Sequence, residues 1–175
     1  MEPYIPTHDT IHLWDGGIYD NLGVEPLFKM RGRRFRDEYN VLIVSDASGP
    51  FDQEQQSFLH KRALRLLGIA REQVRSLRAR SLVDHFESHP NTGVYLQIGN
   101  TGRDILKGAK VAEGTVTPVG GEPLSATDAR AAARLKTRLR RFSTADFDVA
   151  YGHGSEVAHY TLAAYCPALC GLGDK

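Results

Sequence analysis

The chain has 175 residues, 41% of them hydrophobic and 25% charged, which is ordinary globular material with length enough for one domain and a real core. Lys plus Arg is 22 and Asp plus Glu is 21, a net charge of +1 that gives no reason to expect nucleic acid as a partner. The two cysteines, Cys166 and Cys170, imply no disulfide framework and suit a reducing cytoplasm, and no apolar run approaches the ~18 residues of a membrane span.

Met1 to Asp9 holds two acids and two prolines and has no apolar signal core. Thr10 to Trp14 carries β-branched, aromatic and apolar side chains and predicts a short strand. The strand ends at Asp15, and Gly16 and Gly17 follow. An acid at a strand end beside an unobstructed turn projects its carboxylate into the crevice where open α/β sheets bind ligands. Asp20 and Asn21 then offer side-chain oxygens to the first N–H groups of a following helix. A plain Asp-Gly hairpin or surface turn fits the same local pattern.

Val24 to Met30 predicts a short helix with Pro26 in its first turn, closed by the basic loop Arg31-Gly32-Arg33-Arg34. That loop reads as a solvated helix end, with attraction to anionic head groups as the alternative. Val41 to Val44 is a continuous apolar run, the pattern of a strand buried on both faces of a parallel sheet. A helix between it and the first strand makes the two parallel. Ser45, Asp46 and Ser48 then fall on the same sheet edge as Asp15. Either serine is a candidate replacement nucleophile, and both are also normal turn residues.

Residues 52–87 predict one long helix, or two broken near Gly68, with Leu59, Ala63, Leu66, Ala70, Val74 and Leu77 as the buried stripe. The arginines of this segment, among them Arg75 and Arg78, read as its solvated face. His85 and His89 stand four apart, a spacing that could chelate a metal but that lacks a third ligand, so an exposed helix end is the simpler reading. Thr92 to Ile98 predicts another strand, closed by Gly99-Asn100-Thr101-Gly102, and residues 103–124 an irregular excursion. Ser125 to Arg141 predicts a helix opened by a capping box at Ser125 and Asp128, and Phe147 to Tyr165 a last helix whose start Gly152 and Gly154 weaken. His153 and His159 read as packing or surface residues.

The stretch Asp15-Gly16-Gly17-x-x-Asp20-Asn21-Leu22-Gly23-Val24-Glu25-Pro26-Leu27 resembles the catalytic-aspartate motif of patatin-like phospholipases. Val41 to Gly49 resembles the strand and turn that follow that motif in bacterial members. Thr137-Arg138-Leu139 with Arg141-Phe142-Ser143 is similar to their segment before the last helix. Many members carry proline where this chain has Gly23. The resemblance implies a three-layer α/β hydrolase fold that cleaves lipid acyl esters with a Ser-Asp dyad and no cofactor or metal. Asp15 would be the dyad base, with Gly16, Gly17 and Asn21 shaping the turn around it.

The family nucleophile lies in Gly-x-Ser-x-Gly upstream of the aspartate, and a glycine-rich oxyanion loop lies further upstream. Only fourteen residues precede Asp15, so neither has its usual place here. Gly152-His153-Gly154-Ser155-Glu156 is the nearest match elsewhere, with misplaced glycines. The expectation is a single patatin-like domain over residues 1–175 that corresponds to the C-terminal part of the enzyme, the sheet incomplete and the chain inactive alone. Its partners would be a lipid or acyl ester substrate, a peripheral membrane surface, and either further copies or the missing N-terminal half. A non-catalytic binding module built on the same scaffold, and a hydrolase with a relocated serine, are the alternatives.

Overall fold

The structure is a computed structural model that describes Thr10 and residues 16–36, 38–50, 59–119, 121–136 and 141–171. The strand expected over Thr10 to Trp14 lies outside the described residues except for Thr10, and so does its relation to the next strand. The described residues form a mixed α/β arrangement whose centre is a β-α-β unit. Strand β3 (Leu42–Asp46) pairs in parallel with β4 (Gly93–Gln97), in register from Leu42 opposite Gly93 to Asp46 opposite Gln97. Helix α2 (Leu59–Ser88) is the crossover between them.

The expected two-sided burial of Val41 to Val44 does not hold. Leu42, Val44 and Asp46 are buried, whereas Ile43 is 52% exposed and Ser45 is also exposed. One face of β3 packs with Leu82 and Phe86 of α2. On the other face, helices α3 (Gly102–Ala109) and α5 (Thr144–Tyr165) gather around Leu96 of β4 and leave Ile43 uncovered by described residues. Two apolar clusters result. The first centres on Val24, Phe28, Leu42, Val44, Leu82 and Phe86, and the second on Ile105, Leu106, Val116, Val157 and Tyr160.

Residues 24–30 are not the expected helix. The helical turn comes earlier, as α1 (Gly17–Asp20), and the chain then enters a hairpin of β1 (Phe28–Lys29) and β2 (Arg34–Phe35). Gly23 at φ 63° takes the chain out of the right-handed helical region. Phe28 is then drawn into the core, where its ring meets Phe35 edge-on at 6.1 Å and His85 at 5.0 Å. The basic segment is not a helix end: Arg31 to Arg33 make the hairpin turn, with positive φ at Gly32 and Arg33, and Arg34 opens β2.

Helix α2 runs unbroken through Gly68, and it is rotated relative to the expected stripe. Leu66 is 69% exposed and Leu77 59%, and Ala70 and Val74 are exposed with them. The inward face carries Leu82, His85 and Phe86, together with the side chains of Arg75 and Arg78. The arginines go inward because carboxylates from other elements wait for them there, and a paired guanidinium tolerates burial. The side chains of Leu59 and Ala63 lie outside the described residues.

Residues 103–124 are not wholly irregular, because α3 occupies their start. Thr101 Oγ1 accepts from the Asp104 N–H at 3.2 Å, and the Asp104 carboxylate accepts the Thr101 N–H at 3.2 Å, a reciprocal box that satisfies two free donors at the helix start. Lys110 closes α3 in the left-handed conformation. Helix α4 (Ala126–Ala133) begins at the expected Ser125 cap and stops at Arg134, short of the predicted Arg141. Residues 137–140 of the predicted helix, and of the family-like segment, lie outside the described residues. Helix α5 starts at Thr144, capped by Ser143, and passes through Gly152 and Gly154 without a break; a single 3₁₀ turn (Pro167–Cys170) follows it. No helix among the described residues is long and apolar enough to cross a membrane.

Two glycines have opposite roles. A Cβ on Gly93 would lie 2.4 Å from the Phe86 ring and 2.3 Å from the Leu42 carbonyl oxygen, whereas one on Gly68 would meet nothing. Gly93→Ala is therefore expected to destabilise the chain by about 1–3 kcal/mol through overpacking. Gly68→Ala, in a helix interior, is expected to stabilise it by about 0.5–1 kcal/mol. Urea midpoints of the two variants check both signs.

Candidate functional site at the carboxyl end of the parallel pair

Asp15, the predicted catalytic residue, lies outside the described residues. The remainder of its motif does not. Gly16 is the N-cap of α1, Gly17 its first residue and Asn21 its C-cap. Asp20 and Asn21 thus end a helical turn and do not open one, which corrects the expected order. The Asp20 carboxylate instead accepts the Glu25 N–H at 2.7 Å and pairs with Arg78 at 3.0 Å. Arg78 also reaches Glu25 at 3.4 Å and lies 4.9 Å from the centre of the Tyr19 ring, a cation–π contact. The motif loop is therefore fastened to α2 through one half-buried arginine.

Its other anchor is the end of β3. Asn21 Nδ2 donates to Ser48 Oγ at 3.2 Å. The Ser48 N–H donates to Asp46 Oδ1 at 3.0 Å, the local closure of a turn after a strand. The Asp46 carboxylate is buried and also accepts from Arg75 and from the Tyr95 hydroxyl. Arg75 binds Glu72 as well, one helical turn away. Burial works against the charge on Asp46, but hydrogen bonds from Ser48 and Tyr95 and the charge of Arg75 outweigh it and hold the carboxyl below its usual range. A groove of about 710 Å³ opens beside this network, lined by Asn21, Ser45, Asp46, Ser48, Arg71 and Arg75 among others.

These placements bear on both candidate nucleophiles. Ser45 is exposed on the outer face of β3. Ser48 contacts Asn21 and Asp46, but an aspartate held ionised by an arginine and a tyrosine is a poor acceptor for a serine proton. Sequence reading placed Asp46 on this edge but missed Arg75 and Tyr95 as its partners, and Glu72 as the second partner of Arg75. The available signal was Glu72 three residues before Arg75 on a helix, a spacing at which ion pairs form.

The remaining candidates prove structural. His85 is buried among Phe28, Phe35 and Phe86 and stacks on His89 at 4.5 Å, so it is not at an exposed helix end. Burial, then the charge of His89, pushes its pKa down. His153 is buried and accepts the Gly99 N–H at 2.8 Å, while His159 meets the Thr117 carbonyl at 2.8 Å. Ser155 lies inside α5, not on a strand-to-helix elbow. Among the described residues no group of three or more His, Cys, Asp or Glu side chains could hold a metal, and Cys166 and Cys170 are free thiols. No family model matches the chain, and no curated protein or solved structure does either.

The lowered pKa of Asp46 fixes the sign of its pH effect. Between its folded pKa and the ordinary value of 3.8, the folded chain binds fewer protons than the unfolded one. The stability it contributes is full above that ordinary value and is lost as pH falls through the folded pKa. Asp46→Asn is therefore expected to flatten the fall in stability below about pH 4, read as urea midpoints across the acid range. Arg75→Met leaves the buried carboxylate without its counter-charge and is expected to cost about 3–5 kcal/mol at neutral pH.

Proposed function

We propose that this chain is the C-terminal portion of a patatin-like acyl hydrolase and supplies the aspartate of its Ser-Asp dyad. The observation that carries the reading is the motif running from Asp15 to Leu27, supported by how its described part is held. Gly16 to Asn21 forms a tight turn clamped to the carboxyl end of a parallel strand by the Asn21–Ser48 bond and to α2 by Arg78. That edge is where open α/β sheets carry their chemistry. Asp15 directly precedes this turn in the sequence, and Gly16 and Gly17 put no Cβ beside it. The finer three-layer hydrolase fold belongs to this proposal, as does the substrate, a lipid acyl ester cleaved with water as the final acceptor. The exposed Ile43, Leu66 and Leu77 suit it, because the remainder of such a domain would cover apolar surface.

In this mechanism the serine comes from the complementary part of the enzyme. Asp15 takes its proton as the ester is attacked and returns it to the leaving alcohol, and water then releases the acyl group. Asp46 does not share that role. It is spent on holding Arg75, Tyr95 and the Ser48 turn, which fixes the floor on which the motif loop sits. A second reading, a non-catalytic binding module, is favoured by one observation: Asn21, Ser48 and Asp46 already bind one another at the sheet edge.

Hydrolysis of a p-nitrophenyl ester separates the readings. The chain alone is expected to show no turnover above an Asp15→Ala control, and turnover that Ser48→Ala abolished would move the nucleophile onto this chain. In an enzyme completed by a serine-bearing portion, Asp15→Asn is expected to keep the fold and lower kcat by about 10²–10⁴-fold. A completed enzyme whose kcat barely changed with that substitution would take Asp15 out of the mechanism.

A further inference from the structure

The edge of β4 that no described strand covers has a chemistry that the proposed hydrolysis does not use. In a parallel pair, alternate residues of a strand turn both N–H and C=O toward the neighbour. The Leu42 N–H donates to the Thr92 carbonyl at 3.0 Å and the Ile98 N–H to the Asp46 carbonyl at 3.1 Å. The even-numbered residues of β4 therefore face β3, and Gly93, Tyr95 and Gln97 turn their backbone groups away from it. Among the described residues β4 has no second neighbouring strand. Edges of this kind are usually guarded by lysine, proline or a bulge, and Gly93-Val94-Tyr95-Leu96-Gln97 has neither lysine nor proline.

A pocket of about 260 Å³ lies along this edge. The three edge-facing residues Gly93, Tyr95 and Gln97 line it, together with Phe86 of α2, Ile105 of α3 and Tyr165 of α5. Its charged lining residues are Glu87 and Asp104, and among the described residues no lysine, arginine or histidine lines it. An apolar socket, a row of backbone donors and acceptors, and an acidic rim occur together. We propose that the β4 edge is a docking site for an extended segment of a partner protein. The segment adds as a further strand, sets one apolar side chain in the socket between Phe86 and Ile105, and carries lysine or arginine beside it to meet Glu87 and Asp104. Strand addition takes its affinity from main-chain hydrogen bonds and its selectivity from pockets for alternate side chains, and this edge offers both. A small molecule fits less well, because the pocket is below the ~300–1,000 Å³ of ordinary ligand sites and would leave the edge groups unused.

The test uses the full chain and a fluorescent peptide of alternating lysine and valine, seven residues long. Two isomers of it are N-methylated, one at the lysine amides and one at the valine amides. Anisotropy titration is expected to show the parent peptide binding, one isomer keeping its affinity, and the other losing about tenfold or more, because only alternate amides face β4. Hydrogen exchange at Tyr95 and Gln97 is expected to slow with the parent peptide. Gln97→Pro removes an edge-facing N–H but no bond to β3, and Glu87→Lys reverses the rim charge. With melts close to that of the unsubstituted chain, each is expected to weaken the parent peptide about tenfold. Equal affinity of the two isomers, unchanged exchange at Tyr95 and Gln97, or no binding of the parent peptide up to ~1 mM would each overturn the proposal. Equal isomers together with displacement by the dye ANS would make the pocket a small-molecule site instead. None of these outcomes touches Asp15 or ester hydrolysis, so this proposal and the catalytic one fail separately.

Discussion

The buried contact of Arg75 with Asp46 is the constraint on which the rest of the arrangement depends. Asp46 ends β3, Tyr95 lies in the middle of β4, and Arg75 stands midway along the helix that joins them. One carboxylate therefore locks all three parts of the β-α-β unit. A buried ion pair of this sort is weak evidence of net stability, because desolvation offsets much of its attraction. What it fixes is geometry. With Arg75 turned inward, Arg78 one turn further along is turned inward too, and it collects Asp20, Glu25 and the Tyr19 ring. The position of the motif loop thus follows from the rotation of α2, and the rotation of α2 follows from Asp46.

The same rotation explains where sequence reading succeeded and where it failed. The two strands of the parallel pair, the long helix between them and the last helix were legible, because runs of β-branched residues and helical periodicity are local properties. The face of α2 was not. Leu66, Val74 and Leu77 have the spacing of a buried stripe, yet the partners that draw the opposite face inward are 29 residues from Arg75 and 53 from Arg78. No local pattern carries that information. The cap at Ser125 was recognised, although only its serine half forms, whereas the full reciprocal box at Thr101 and Asp104 was passed over because the residues beyond it are rich in glycine and proline. The candidate site was legible as a motif around Asp15, Gly16, Gly17 and Asn21. Its support by Arg78 and Ser48 was not.

Helix α5 performs for the second cluster what α2 performs for the first. Glu156 accepts the Gly102 N–H at 3.0 Å with one oxygen and the Leu124 N–H at 2.8 Å with the other. His153 accepts the Gly99 N–H on the same side. Burial lowers the His153 pKa despite the opposing charge of Glu156, which suits a neutral ring that accepts a hydrogen bond. Three backbone donors after β4 and before α4 are therefore satisfied from a single helix. His153, expected from the sequence to be a packing or surface residue, is thus a buried hydrogen-bond acceptor.

The parallel pairing also has a consequence in time. Phe28 finds Phe35 across a tight hairpin within a few residues, whereas Leu42 is paired with Gly93, on the far side of a helix thirty residues long. Contacts so distant in sequence form late, because the closure entropy of the intervening chain must be overcome before any bond repays it. During synthesis the hairpin residues emerge together, but Asp46 leaves the ribosome well before Arg75 and Tyr95. Until they arrive its carboxylate lacks its arginine and tyrosine partners, and the end of β3 has only the Ser48 turn and Asn21 beside it.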